Sequence, residues 1–218
     1  MRDQISVTGI VLKTEPVGEY DRRAVLLTRE RGKIAAFARG ARKQGSRLLA
    51  STNPFCFGQF MLYEGRSAYG IAESNISNYF EGFRSDFEAA CYGMYFLEVM
   101  DYYTRENNDE REMLGLLYQS LRALLHPGLS NGLVRYIFEI KAVVINGEYP
   151  GLPVRKTPYL SSTVYAVDYI AGSKLEKLYT FTVTDQVLGE LREIALCYRK
   201  RFMDRKMKSL EILGEIPC

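Results

Sequence analysis

Near residue 80 the spacing of apolar residues changes from about two to about 3.6, and this switch constrains the fold more than any other feature. Before it, short β-branched runs alternate with turn residues. Ser6–Lys13 reads as a strand, and Gly18-Glu19-Tyr20-Asp21 as a turn. Arg23–Thr28 and Lys33–Ala38 flank Arg29-Glu30-Arg31-Gly32, a hairpin connection in which glycine supplies a positive φ. Ser46–Ala50 predicts a short helical turn ahead of Asn53-Pro54. Cys56–Tyr63 and Ala68–Glu73 then flank Glu64-Gly65-Arg66-Ser67. About five strands fit in fewer than 80 residues, with a break after the third.

A small five-stranded barrel of the OB type accommodates that pattern over residues 1–80, and such barrels commonly bind oligonucleotides or oligosaccharides. Residues 81–218 predict a helical domain. One apolar face runs through Phe83, Phe87, Ala90, Met94 and Tyr102; a second runs from Met113 to Leu125; a third runs from Val134 to Ile145. Asn107-Asn108-Asp109 and His126-Pro127-Gly128 separate them. Residues 148–183 read as an irregular insert with a β-hairpin, Thr163–Tyr169 paired with Lys177–Val183 about Ala171-Gly172-Ser173. Residues 184–213 then read as a C-terminal helix, capped by Thr184 or Asp185 and packing back on the bundle. The expected class is an α+β multidomain chain.

The net charge of +3 hides a sharp division. Residues 1–80 carry +5, residues 81–150 carry −5 and residues 151–218 carry +3. From Arg22 to Arg47 there are nine basic residues and one acidic residue, Glu30. Within that stretch, Arg39–Arg47 is basic, acid-free and broken by Gly40 and Gly45, so its backbone can approach a phosphate chain closely. A second basic run, Arg199, Lys200, Arg201, Arg205 and Lys206, ends the C-terminal helix, where cations also suit the helix dipole. Phe37, Tyr63 and Tyr69 are candidates for stacking on bases, but strand alternation puts some of them in the barrel core, and the core is the favoured reading.

Several function classes are disfavoured. The chain has one histidine, His126, beside a Pro-Gly break that suits a capping role. Its cysteines, Cys56, Cys91, Cys197 and Cys218, lack the two-to-four-residue spacing of zinc knuckles and read as structural thiols. There is no G-x-x-x-x-G-K-[ST], G-x-S-x-G or H-E-x-x-H, and nothing assembles a nucleophile, base and oxyanion site, so an enzyme is not expected. The N-terminus has no signal-peptide core and no run is long enough to span a membrane, which predicts a cytoplasmic protein.

Gly18-Glu19-Tyr20-Asp21-Arg22, Leu27-Thr28-Arg29-Glu30-Arg31-Gly32-Lys33, Ala38-Arg39-Gly40-Ala41-Arg42-Lys43, Ser46-Arg47-Leu48 and Pro54-Phe55, in this order and spacing, resemble the N-terminal domain of the RecO family of bacterial recombination-mediator proteins. Asn146–Leu152 resembles the element that follows that family's third helix. The resemblance implies an OB-fold that binds single- and double-stranded DNA and anneals complementary strands. It also implies work with RecR and the tail of the single-strand-binding protein to load RecA in a bacterial, nucleoid-associated setting. Carried over by motif, the DNA contacts are Arg22, Lys33, Arg39, Arg42, Lys43 and Arg47. Arg199, Lys200, Arg201, Arg205 and Lys206 match no motif of the family and are a candidate secondary contact, to nucleic acid or an acidic peptide, on their charge alone. The sequence departs from the family where many members carry a C-x-x-C…C-x-x-C zinc module. Residues 152–158 read Leu-Pro-Val-Arg-Lys-Thr-Pro, so loss of the metal is expected, with the hairpin in its place and no cofactor. The rival readings are a protein-interaction adaptor and an RNA-binding OB protein.

Overall fold

The computed structural model describes residues 4–65 and 68–214. The Arg66-Ser67 half of the expected β4–β5 turn, and Cys218, lie outside them. Five strands form a closed barrel in the order β1-β2-β3-β5-β4: β1 (Gln4–Val17), β2 (Asp21–Thr28), β3 (Gly32–Ala38), β4 (Phe57–Glu64) and β5 (Tyr69–Asn78). This is an OB-type barrel. β1 closes it by pairing with β4 through its first half and β2 through its second, while the parallel pairing of β3 with β5 seals the other side. Side chains alternate as the period-two pattern requires. On β3, Ile34, Ala36 and Ala38 point into a core with Val7, Val11, Leu26, Phe60, Leu62 and Ile71, while Lys33, Ala35 and Phe37 face outward. The short α1 (Leu48–Ser51) follows β3, as expected.

Two compact units emerge, but the chain does not divide at one point. Residues 1–81 and 97–114 form the first; residues 82–96 and 115–218 form the second. Helix α2 (Phe87–Tyr103) therefore starts in the second unit and ends in the first, and α3 (Arg111–Leu124) does the reverse.

In the first unit the β2–β3 turn is held by residues 105–108. Gly32 has φ +64°, the amide of Lys33 donates to Arg105 O (3.0 Å), and the amide of Asn107 donates to Arg31 O (3.0 Å). A Cβ on Gly32 would lie 2.3 Å from Arg105 O, so only glycine permits this approach.

In the second unit α4 (Asn131–Ile145) is buried from Leu133 to Val143 and packs against α5 (Ser161–Gly172) and α6 (Asp185–Phe202). Ser130 and Thr184 cap α4 and α6 by accepting the amides of Leu133 and Val187. The helix carries charge into the core. Glu139 Oε1 accepts Arg135 Nε at 2.9 Å and the Tyr95 hydroxyl at 2.6 Å, so the carboxylate is neutralised where it is 1% exposed.

The expected β-hairpin at 163–183 is absent. Its first half is helix α5, because Thr163, Ala166, Val167 and Ile170 share one helical face and are all buried. Burial of that face outweighs the strand preference of the β-branched residues. Lys141 Nζ then donates to the carbonyls of Ala171 (2.9 Å) and Ser173 (2.8 Å) at the C-terminal end of α5. Its second half forms no strand: a 3₁₀ turn, Leu175–Lys177, runs on through a turn into irregular chain. The expected helix over 184–213 is also interrupted. α6 stops at Phe202 and α7 spans Lys208–Ile212, with the buried Met203 and Met207 between them.

Candidate nucleic-acid interface

The loop from Arg39 to Arg47 leaves the end of β3 and is fastened to the β1–β2 turn. Asp21 Oδ1 accepts the amide of Gly40 (2.7 Å), and the Arg42 amide donates to Tyr20 O (2.8 Å). Ala41 is fully buried and anchors the loop in the barrel core. Gly40 and Gly45 take positive φ, and successive i→i+3 amide bonds coil the chain between them. The result is a tight, pinned loop whose cations stand outward.

The six motif-predicted DNA contacts separate into two groups. Arg39, Arg42, Lys43 and Arg47 are exposed on this loop. Of these, Arg42 Nη1 donates to Gly18 O (3.2 Å), and the Lys43 ammonium lies 5.4 Å from the centre of the Tyr20 ring, so both lean on the turn while remaining exposed. Arg22 and Lys33 are engaged internally. Arg22 Nη1 donates to Leu49 O (2.9 Å) and Asn53 Oδ1 (2.9 Å), tying α1 and the chain after it to β2. Lys33 Nζ donates to the carbonyl and carboxylate of Asp101. Lys13 meets the other carboxylate oxygen of Asp101 at 2.9 Å. Burial alone pushes the Asp101 carboxyl up, but the hydrogen bonds and charges of Lys13 and Lys33 outweigh it and hold the group below the ordinary carboxylate value.

Two of the aromatics expected in the core are not there. Phe37 and Tyr63 lie half-buried on the outer face, and Tyr69 is shared between that face and the core. Together with Arg39 and Asp21 they line a cleft of about 330 Å³ on the barrel. Sequence reasoning missed Asp21 as the anchor of the basic loop and Asp101 as the partner of two lysines. The first was legible as the acid in Gly-Glu-Tyr-Asp-Arg; the second carried no local signal.

The secondary basic run is divided too. Arg199 is 12% exposed, with Nη1 4.0 Å from Glu139 Oε1, and belongs to the buried network. Lys200, Arg201, Arg205 and Lys206 are exposed. His126 Nδ1 accepts the Gly128 amide at 3.1 Å, closing the turn after α3.

The stretch between α4 and α6 has no thiolate or imidazole donor and does not fit a tetrahedral zinc centre. Among the described residues, no group of three or more His, Cys, Asp or Glu side chains is arranged to hold a metal. Cys56 and Cys91 are buried and Cys197 is exposed, all three as free thiols. The segment is instead fastened by Arg155, which donates to Pro158 O (2.8 Å), pairs with Glu190 and with Glu193 (3.2 Å), and stacks 3.7 Å from the centre of the Tyr159 ring. Glu190 also accepts the Leu160 amide at 3.1 Å. Among the described residues no helix is long and apolar enough to cross a membrane.

Two family models match the chain: Recombination protein O N terminal over residues 1–80, and Recombination protein O C terminal over residues 84–153. Curated relatives extend the similarity over nearly the whole sequence. The chain is 28% identical to the DNA repair protein RecO of Clostridium novyi, with 94% of this chain and 92% of the relative covered. It is 26% identical to that of Acetivibrio thermocellus, over 98% and 99%. It is 34% identical to that of Bacillus pumilus, over 68% and 57%.

Proposed function

The chain belongs to the RecO family of DNA repair proteins, and from that premise we propose that it acts as a recombination mediator, binding single- and double-stranded DNA and annealing complementary strands. The observation that carries the reading is the pinned loop presenting Arg39, Arg42, Lys43 and Arg47 to solvent. Cations on this loop neutralise phosphates and release counterions, which offsets the repulsion between two approaching strands. Pairing itself comes from the bases, so the protein supplies no catalytic residue and needs no cofactor or structural zinc. Its partners are RecR and the acidic, apolar tail of the single-strand-binding protein, with RecA served indirectly, in the bacterial cytoplasm at the nucleoid. Exposed Lys200, Arg201, Arg205 and Lys206 form a secondary contact.

The test is strand annealing, with and without single-strand-binding protein, alongside anisotropy of a labelled single strand at low salt. R39E/R42E is expected to lose both binding and annealing with its fold intact by circular dichroism. Unchanged binding would sink the reading. Elemental analysis finding about one zinc per chain would overturn the metal-free part alone.

A further inference from the structure

The outer face of the barrel carries a feature that phosphate neutralisation does not use. Register places Phe37 of β3 and Tyr63 of β4 on either side of Gly70 of β5, one residue per strand in a lateral row. Gly70 has no side chain, and the Tyr63 ring lies across the vacancy: a Cβ on Gly70 would sit 2.1 Å from Tyr63 Cζ. The ring is therefore laid along the sheet, and Phe37 stands beside it. With Tyr69, Arg39 and Asp21 these side chains bound the 330 Å³ cleft. That volume is at the low end of the roughly 300–1,000 Å³ range of small-molecule sites, the scale of one planar ring system.

The charge of the cleft is unlike that of the loop. Asp21 places a carboxylate in its wall, with one oxygen engaged by the Gly40 amide. A carboxylate repels a phosphate but accepts N–H donors from a base edge. Arg39 stands where the cleft meets the loop, with Arg42, Lys43 and Arg47 further along the chain. Aromatic faces and a hydrogen-bond acceptor thus lie in the cleft, and cations lie beside it. We propose that this cleft seats one unstacked nucleobase of a single strand whose phosphates follow the Arg39–Arg47 loop. The proposal rests on the DNA-binding reading and adds a base-dependent component to it. A duplex offers no unstacked base, so the cleft favours single strands.

The experiment compares anisotropy binding of three labelled ligands of equal length at low salt: a single strand, the same strand made fully abasic, and a duplex. The proteins are the wild-type chain, F37L, which keeps apolar bulk but removes the flat face, and F37Y, which restores it. Stacking of one base predicts that the wild type and F37Y bind the intact strand about 5–140-fold more tightly than the abasic strand. In F37L that ratio falls toward one while duplex affinity is unchanged. G70A, which drives the Tyr63 ring outward into the cleft, is expected to behave like F37L. An unchanged ratio in F37L, or an equal loss on duplex, overturns the cleft while leaving DNA binding standing. If the wild-type chain binds none of the three ligands, the DNA-binding reading falls and the cleft with it.

Discussion

The division of the six motif cations into four exposed loop residues and two internally bonded ones makes a quantitative prediction. If Arg39, Arg42, Lys43 and Arg47 each neutralise one phosphate, the log–log salt dependence of single-strand binding has a slope of about −2.8, taking about −0.7 per contact. Raising salt from about 50 to 200 mM then weakens binding by about 50-fold. R39A/R42A removes two contacts, so the slope falls to about −1.4 and the same salt change costs only about sevenfold. R22A and K33A touch no phosphate in this arrangement. R22A frees α1 from β2, with loss of hydrogen bonds worth about 1 kcal/mol each, and K33A removes one of the two lysines that pair with Asp101. Both are expected to lower thermal stability while leaving the slope near −2.8. Anisotropy titrations at four or five salt concentrations measure this directly. A slope unchanged in R39A/R42A, or reduced by about 0.7 in K33A, would refute the assignment of roles.

Three further predictions concern the framework. G18A and G32A both force alanine to positive φ, at about 1 kcal/mol each, but only G32A also meets backbone, Arg105 O at 2.3 Å; its melting temperature should fall several degrees further, and equal falls would show that the turn does not press on residues 105–108. Because Asp101 titrates lower in the folded chain than its unfolded value of about 3.9, its contribution is fully present above that value and is lost as pH falls through the folded one. The stability gap between wild type and D101N in urea titrations should therefore shrink below about pH 4, and a gap constant down to pH 2 would contradict the pairing. R155K keeps the charge but loses the planar fork that reaches Glu190, Glu193 and Pro158 O together, so hydrogen exchange at the Leu160 amide should accelerate, and unchanged protection would show that Arg155 does not hold this segment.

The barrel was legible because its signals are local. Alternation on β3, the turn at Gly18–Asp21 and the glycine at position 32 each act within a few residues, and the structure realises them at those positions. The basic loop was legible for the same reason, since a glycine-broken run of cations has no means of burying itself. Thr163–Ile170 was not, because its β-branched residues favour a strand by a margin smaller than the gain from burying one helical face. The sequence by itself determined a five-stranded barrel followed by helices, and which stretch carries the exposed positive charge. Only the tertiary structure decided which basic side chains are engaged within the chain and which stay exposed, and which outward-facing aromatics share one row. The partner that occupies Lys33 lies 68 residues away, and the row of Phe37, Gly70 and Tyr63 exists only after three strands are in register. Long-range pairing sets both, and no local pattern encodes it.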